Sequence, residues 1–250
     1  MHIAIAPEQL THIGSLGVSN SFVMIWLIAI LLIVVAQLIS RKVSLVPKLA
    51  QNGAEWCVES LLDMMQGVLG TKEKALKYFP FVATIFTVIL ASNWLGLVPG
   101  VGSIGVFHSV METGGTATRE LVPFLRSPSS DLNFTLGLAL MTIITINIMG
   151  IRATGLKFAI SRYLNFSSPI NFFIGILELI GEFAKIISLS FRLFGNVFAG
   201  EVLLIIIGFL VPYLVPVPFL GLELFAGFIQ ALVFSTLTLV FLSLLVEKHH

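Results

Sequence analysis

The chain has 250 residues, 57% of them hydrophobic and 11% charged, with a mean hydropathy of +1.02 and a formal net charge of +1. Soluble domains carry roughly 25% charged residues, so this composition excludes a soluble globular domain and describes a polytopic membrane protein. The near-neutral balance offers no basic field to nucleic acid, and a single cysteine, Cys57, excludes an internal disulfide.

No linker, charge block or repeat divides the sequence, so a single polytopic membrane domain over 1–250 is expected. Residues 1–20 contain no Lys or Arg, whereas a secretory signal carries positive residues ahead of its apolar segment. The first apolar run, 21–39, is followed by Ser40, Arg41 and Lys42 and reads as a retained span with its N-terminus outside. Residues 49–68 place Leu49, Trp56, Val58, Leu61, Leu62, Met65 and Val68 towards one side, with Glu55, Glu59 and Asp63 at four-residue spacing on the other. That segment is too polar to span and suits a helix lying in the membrane interface.

Further spans are expected near 80–98, 133–151, 171–211 and 219–246, since crossing a core of roughly 30 Å takes about 20 helical residues. Between them, 99–130 is a Gly- and Ser-rich loop with no readable site, where His108 reads as a solvated loop residue. A shorter interfacial segment is expected over 154–167. If the five spans alternate, Arg41, Lys42, Lys48, Lys72, Lys74, Lys77, Arg152, Lys157, Arg162 and Lys248 share one side. Only Arg119 and Arg126 fall on the other, while Lys185 and Arg192 lie within a span. The positive-inside rule then puts the N-terminus outside and the C-terminal EKHH inside.

The region 171–211 is too long for one upright span: at about 1.5 Å per residue it reaches about 60 Å. Two spans with a turn near Phe194, Gly195 and Asn196 would account for it, and so would one long tilted helix. No basic or Pro/Gly-rich turn interrupts 171–208, which favours a single helix paired with the one after PYLVPVPF. The tilt exceeds the usual range, so something must hold it.

This region also carries the polar residues. Glu178, Glu182, Lys185, Arg192 and Asn196 follow at spacings of four, three, seven and four, along one face of a helix. Each ionised residue at mid-bilayer costs at least about 2.5–3.5 kcal/mol, so that face must meet protein or water. Glu201 lies about 180° around from Arg192, and Glu223 and Gln230, two turns apart on the next helix, are the natural groups to meet it. Gly195, Gly200 and Gly227 leave room for close helix approach or for water. Glu182 and Lys185 fit a simple ion pair, and Asn196 an interhelical hydrogen bond. Arg192 has no acid nearby on its own helix, which implies a partner elsewhere. A guanidinium cannot shed its proton but favours the ionised form of a neighbouring acid. Glu178, Glu201 and Glu223 can take and release protons on either side of it.

The stretch SLSFRLFGNVFAGE at 188–201 resembles the signature of the subunit a family of F-type ATP synthases, the stator beside the rotating c-ring. FPFVATIFTVILASNWLGLVPG, PSSDLNFTLGLALMT and GFIQALVFSTLTLVFLS agree with it in order and spacing, so the resemblance covers nearly the whole chain. It implies that Arg192 is the essential arginine facing the c-ring carboxylate. Asn196, Glu201 and Gln230 match polar positions of the half-channel open to the outer, proton-rich side. Glu223 falls where some bacterial members have histidine and others an acid, and Glu178 matches an acidic position beside the inner half-channel. The implied fold is all-α, its last two helical regions a steeply tilted hairpin hugging the ring. The implied partners are the c-ring, peripheral-stalk b subunits, membrane lipid and protons, with Na+ open as the alternative coupling ion. No cofactor, metal or ATP site is implied, and no GxxxxGK[ST] phosphate loop occurs. The RLFGN wording points to a bacterial plasma membrane, with an organellar membrane as the alternative. Two rival readings remain: a self-contained transporter, which often carries internal repeats not found here, and a membrane scaffold, which leaves Arg192 unexplained.

Overall fold

In the computed structural model, residues 9–13, 16–41, 49–102, 104–111, 117–155, 168–211 and 214–246 are described. Among them the fold is carried by α1 (Asn20–Arg41), α2 (Leu49–Leu69), α3 (Lys72–Gly96), α4 (Leu132–Thr154), α5 (Pro169–Leu210) and α6 (Pro216–Val246). Five of these helices, all but α2, are long and apolar enough to cross a membrane. The chain is an all-α membrane protein with one amphipathic helix beside its spans. Helix α5 runs unbroken for 42 residues, which removes the two-span alternative with a turn at Phe194–Asn196.

Local chemistry sets the helix ends. Ser19 Oγ accepts the Phe22 N–H at 3.3 Å at the start of α1, and Ser168 precedes Pro169 at the start of α5, where its Oγ accepts the Ile170 N–H at 3.4 Å. A hydroxyl ahead of the first turn and a proline inside it are favoured starts, because the first N–H groups have no helical acceptor. Asp131 caps α4, its Oδ1 accepting the Asn133 N–H at 2.9 Å. Its Oδ2 accepts the Ser21 hydroxyl at 2.7 Å, which ties the starts of α4 and α1 together. Helices α2 and α4 end at Gly70 (φ 76°) and Gly155 (φ 94°), whose N–H groups bond the carbonyls of Gln66 and Ile151. Only glycine adopts that left-handed cap without a Cβ penalty. Helix α3 begins well ahead of its apolar run because Glu73, Lys74, Ala75 and Leu76 are strong helix formers, and it continues through Pro80.

Short strands flank the helices. β1 (Gln9–Ile13) pairs antiparallel with β2 (Leu16–Ser19); β3 (Pro99–Gly102) leads into β4 (Gly105–Met111), which pairs antiparallel with β5 (Ala117–Pro123). The segment expected as a plain loop thus contains a hairpin, and His108 stands opposite Glu120 in its ladder rather than in a loop. Val106, Val110, Thr118 and Val122 supply the β-propensity of the two strands. The interfacial segment expected over 154–167 lies, beyond Gly155, outside the described residues, as do Lys42, Lys48, Lys157, Arg162 and Lys248.

The chain gathers into two compact units. The first comprises Met1–Arg41, Val88–Phe134 and Phe194–Gln230; the second comprises Lys42–Thr87, Thr135–Leu193 and Ala231–His250. The interior of the first is mostly polar, with Asn20, Ser21, Asn93, Arg126, Asp131 and Glu223 all buried. The second is mostly apolar, built on side chains such as Met65, Val82, Ile143, Leu193, Phe234 and Leu242.

Candidate functional site

The first unit holds four of the residues singled out from sequence: Asn196 and Glu201 on α5, and Glu223 and Gln230 on α6. Gly200 brings the two helices together here. A Cβ on it would overlap the Glu223 carboxylate, so that carboxylate fills the space a side chain would take, one residue from Glu201. Two bonds from α3 fix α6 beside it: Asn93 Nδ2 donates to the Gly227 carbonyl at 2.9 Å, and Trp94 Nε1 to the Leu224 carbonyl at 3.0 Å. Gly227 lies between Glu223 and Gln230, and a Cβ there would crowd the Asn93 side chain at 3.0 Å. The expectation that Glu223 and Glu201 share one neighbourhood agrees with this packing.

Glu201 has a partner that sequence reasoning missed. Arg126 Nε stands 3.8 Å from Glu201 Oε1 and donates to Ser130 Oγ at 3.2 Å. The arginine side chain is 8% exposed against 35% for the glutamate, so the cation is the buried partner. Burying a guanidinium is costly unless it is paired, and Arg126 is held by the turn Pro128–Ser130 immediately after it. In sequence Arg126 counts only as a charge in a loop; its pairing depends on a residue remote in the chain.

A second signal is the set of buried polar atoms without a hydrogen-bond partner among the described residues. Five of the six, Asn93 Oδ1, Ser129 Oγ, Asn196 Nδ2, Glu201 Oε2 and Gln230 Nε2, belong to the first unit, and the sixth, Ser235 Oγ, belongs to the second. An unsatisfied buried group costs about 1–3 kcal/mol, and polar interiors with several such groups are where proteins hold water. Three of the five are residues whose polarity inside apolar runs had marked them out. Asn93 and Ser129 were not marked, because a single amide or hydroxyl near a span end is unremarkable in sequence.

The second unit holds Glu178, Glu182, Lys185 and Arg192, all on α5. Glu178 is half-buried. Lys185 Nζ donates to Glu182 Oε1 at 2.7 Å, which realises the ion pair expected from their spacing. Arg192 is exposed, and it makes no hydrogen bond or ion pair with any described residue. Its neighbours Leu189, Ser190 and Leu193 are buried, so the guanidinium points away from the packed side of its helix. Gly195, close by, has open space where a side chain would stand. Among the described residues no cluster of His, Cys, Asp or Glu is arranged to hold a metal ion.

The family model described as "ATP synthase A chain" matches residues 22–243. The chain is 33% identical over 234 residues to the ATP synthase subunit a of Campylobacter jejuni subsp. jejuni serotype O:23/36, an alignment covering 92% of each protein. It is 31% identical over 245 residues to the ATP synthase subunit a of Moorella thermoacetica, covering 98% of this chain and 99% of that one.

Proposed function

The chain belongs to the ATP synthase A chain family, that of the proton-channel subunit working in complex with the other membrane subunits of the synthase, and on that premise we propose that it is the stator of a two-sided proton path. Protons enter from the outer side along Asn196, Glu201, Glu223 and Gln230 and reach a carboxylate on a rotating c-ring. Once the ring has turned they leave on the inner side near Glu178. Arg192 stands between the two ends and compels each passing ring carboxylate to be ionised. Because arginine cannot be deprotonated in a protein, it also bars a direct proton leak. The chain is a membrane protein whose described residues include five helices long and apolar enough to span; the proposal places it in a bacterial plasma membrane, N-terminus outside and C-terminus cytoplasmic, next to the c-ring and the peripheral-stalk b subunits. The long helices α5 and α6, at about 63 and 46 Å, exceed a core of about 30 Å, which suits a steep tilt along a ring.

The observation that carries this reading is Arg192: exposed on an apolar helix, without a partner among the described residues of its own chain. A charge so placed costs at least about 2.5–3.5 kcal/mol in lipid, and an acid on a neighbouring subunit offsets that cost. The polar atoms around Asn196, Glu201 and Gln230 support a wet path on one side. The test is ATP-driven proton pumping in inverted membrane vesicles containing the assembled synthase. Arg192→Ala is expected to lower pumping by at least about 100-fold, equivalent to about 2.7 kcal/mol, with the subunits still assembled. Pumping at the unsubstituted rate overturns the reading.

A further inference from the structure

Helix α5 carries two cations, Lys185 and Arg192, and the proposed path uses only one. Seven residues separate them, which on an ideal helix leaves Lys185 about 20° from Arg192 in azimuth and about 10 Å away along the axis. The lysine stem therefore leaves α5 on the same face as the arginine. Its ammonium does not stay on that face. Nζ is drawn back to Glu182 Oε1 at 2.7 Å and sits 4.9 Å from the centre of the Phe241 ring of α6, within reach of a cation–π contact.

Glu182 is in turn fixed from the packed side. It is 9% exposed, and its second oxygen, Oε2, accepts from Asn147 Nδ2 of α4 at 3.4 Å. It lies about 80° around the helix from Arg192. The carboxylate is thus buried, engaged at both oxygens and at the edge of the polar stripe farthest from the arginine.

We propose that Glu182 is a positioning residue that masks the Lys185 ammonium, so that Arg192 stays the one uncompensated cation on that face of α5. This rests on the reading of Arg192 given above. With Glu182 neutral, the lysine is free to extend along its own face. A second fixed cation then stands two turns from the first, on the side where protons leave. It holds a ring carboxylate ionised at a position where that group must move on, and it competes for Glu178.

The experiment uses inverted vesicles containing the whole assembled synthase, with ATP-driven pumping measured at matched subunit content. Glu182→Gln is expected to lower the pumping rate about tenfold. Adding Lys185→Gln to it is expected to restore the rate to within about twofold, because both charges are then gone. A tie that is only structural behaves in the opposite way, since the double variant has lost the tie as surely as the single one. Glu182→Gln pumping at the unsubstituted rate overturns the inference, as does a double variant that is as slow as Glu182→Gln or does not assemble. If Glu182→Gln itself does not assemble, a double variant that assembles and pumps upholds the inference. Arg192→Ala in the same vesicles separates the two levels: if it pumps, the reading of the site has failed, and if it does not, a failure at Glu182 concerns the masking alone.

Discussion

At Gly200 of α5 a hydrogen stands where every other residue type carries a carbon, and the Glu223 carboxylate of α6 fills the space. A methyl there has to push out an acid held among packed helices, and overpacking of this kind costs about 1–3 kcal/mol. Gly200→Ala is therefore expected to lower ATP-driven pumping on the order of tenfold, with part of the loss recovered by shortening the acid in Glu223→Asp. Gly208→Ala, on the same helix with open space around it, is expected to pump at close to the unsubstituted rate; equal losses at both glycines would show that the fit to Glu223 does not matter. Residue-level chemistry was readable where a polar group interrupts an apolar run, which is how Arg192, Asn196, Glu201, Glu223 and Gln230 came to notice. It was not readable where the partner comes from elsewhere in the chain. Arg126 lies beyond a hairpin and before a helix start, and nothing local to it points to Glu201.

At the scale of elements, hydropathy locates the five spans because the bilayer makes each of them long and apolar. Length alone left 171–211 ambiguous between one helix and two. The absence of a breaker favoured one helix, which α5 bears out. The β4–β5 pairing is not legible in the sequence although β-branched residues recur in both strands, because a Gly- and Ser-rich stretch between spans reads as loop by default. Helix α2 offers a test without any substitution. Cys57, the only cysteine, is exposed on it, and the proposed orientation, with the Lys- and Arg-rich side inside, places that helix on the cytoplasmic side. A membrane-impermeant maleimide is expected to label Cys57 in inverted vesicles and to leave it unlabelled in right-side-out ones. The reverse pattern would turn the proposed orientation over, and with it the assignment of outer and inner half-channels.

For the molecule as a whole, the two compact units differ in what they bury. The first encloses acids, amides and a guanidinium, several with atoms that no described residue satisfies; the second encloses mainly aliphatic and aromatic side chains. The proposed outer half-channel residues Asn196, Glu201, Glu223 and Gln230 all fall in the first, and Arg192 and Glu178 in the second. Composition and spacing mark these residues one by one, and only the family resemblance sorts them, because the sorting depends on which parts of α3, α5 and α6 pack with which loops. The family and the chemistry together leave one cation of α5 unanswered among the described residues: Arg192 has no negative group beside it. A density map of the purified assembly, at a resolution that shows side chains, tests this most directly. On the present account a ring of helices lies against 185–205, with a carboxylate of that ring facing the Arg192 guanidinium. A guanidinium matched instead by an acid of its own chain, or directed into lipid with no ring beside it, would contradict the account.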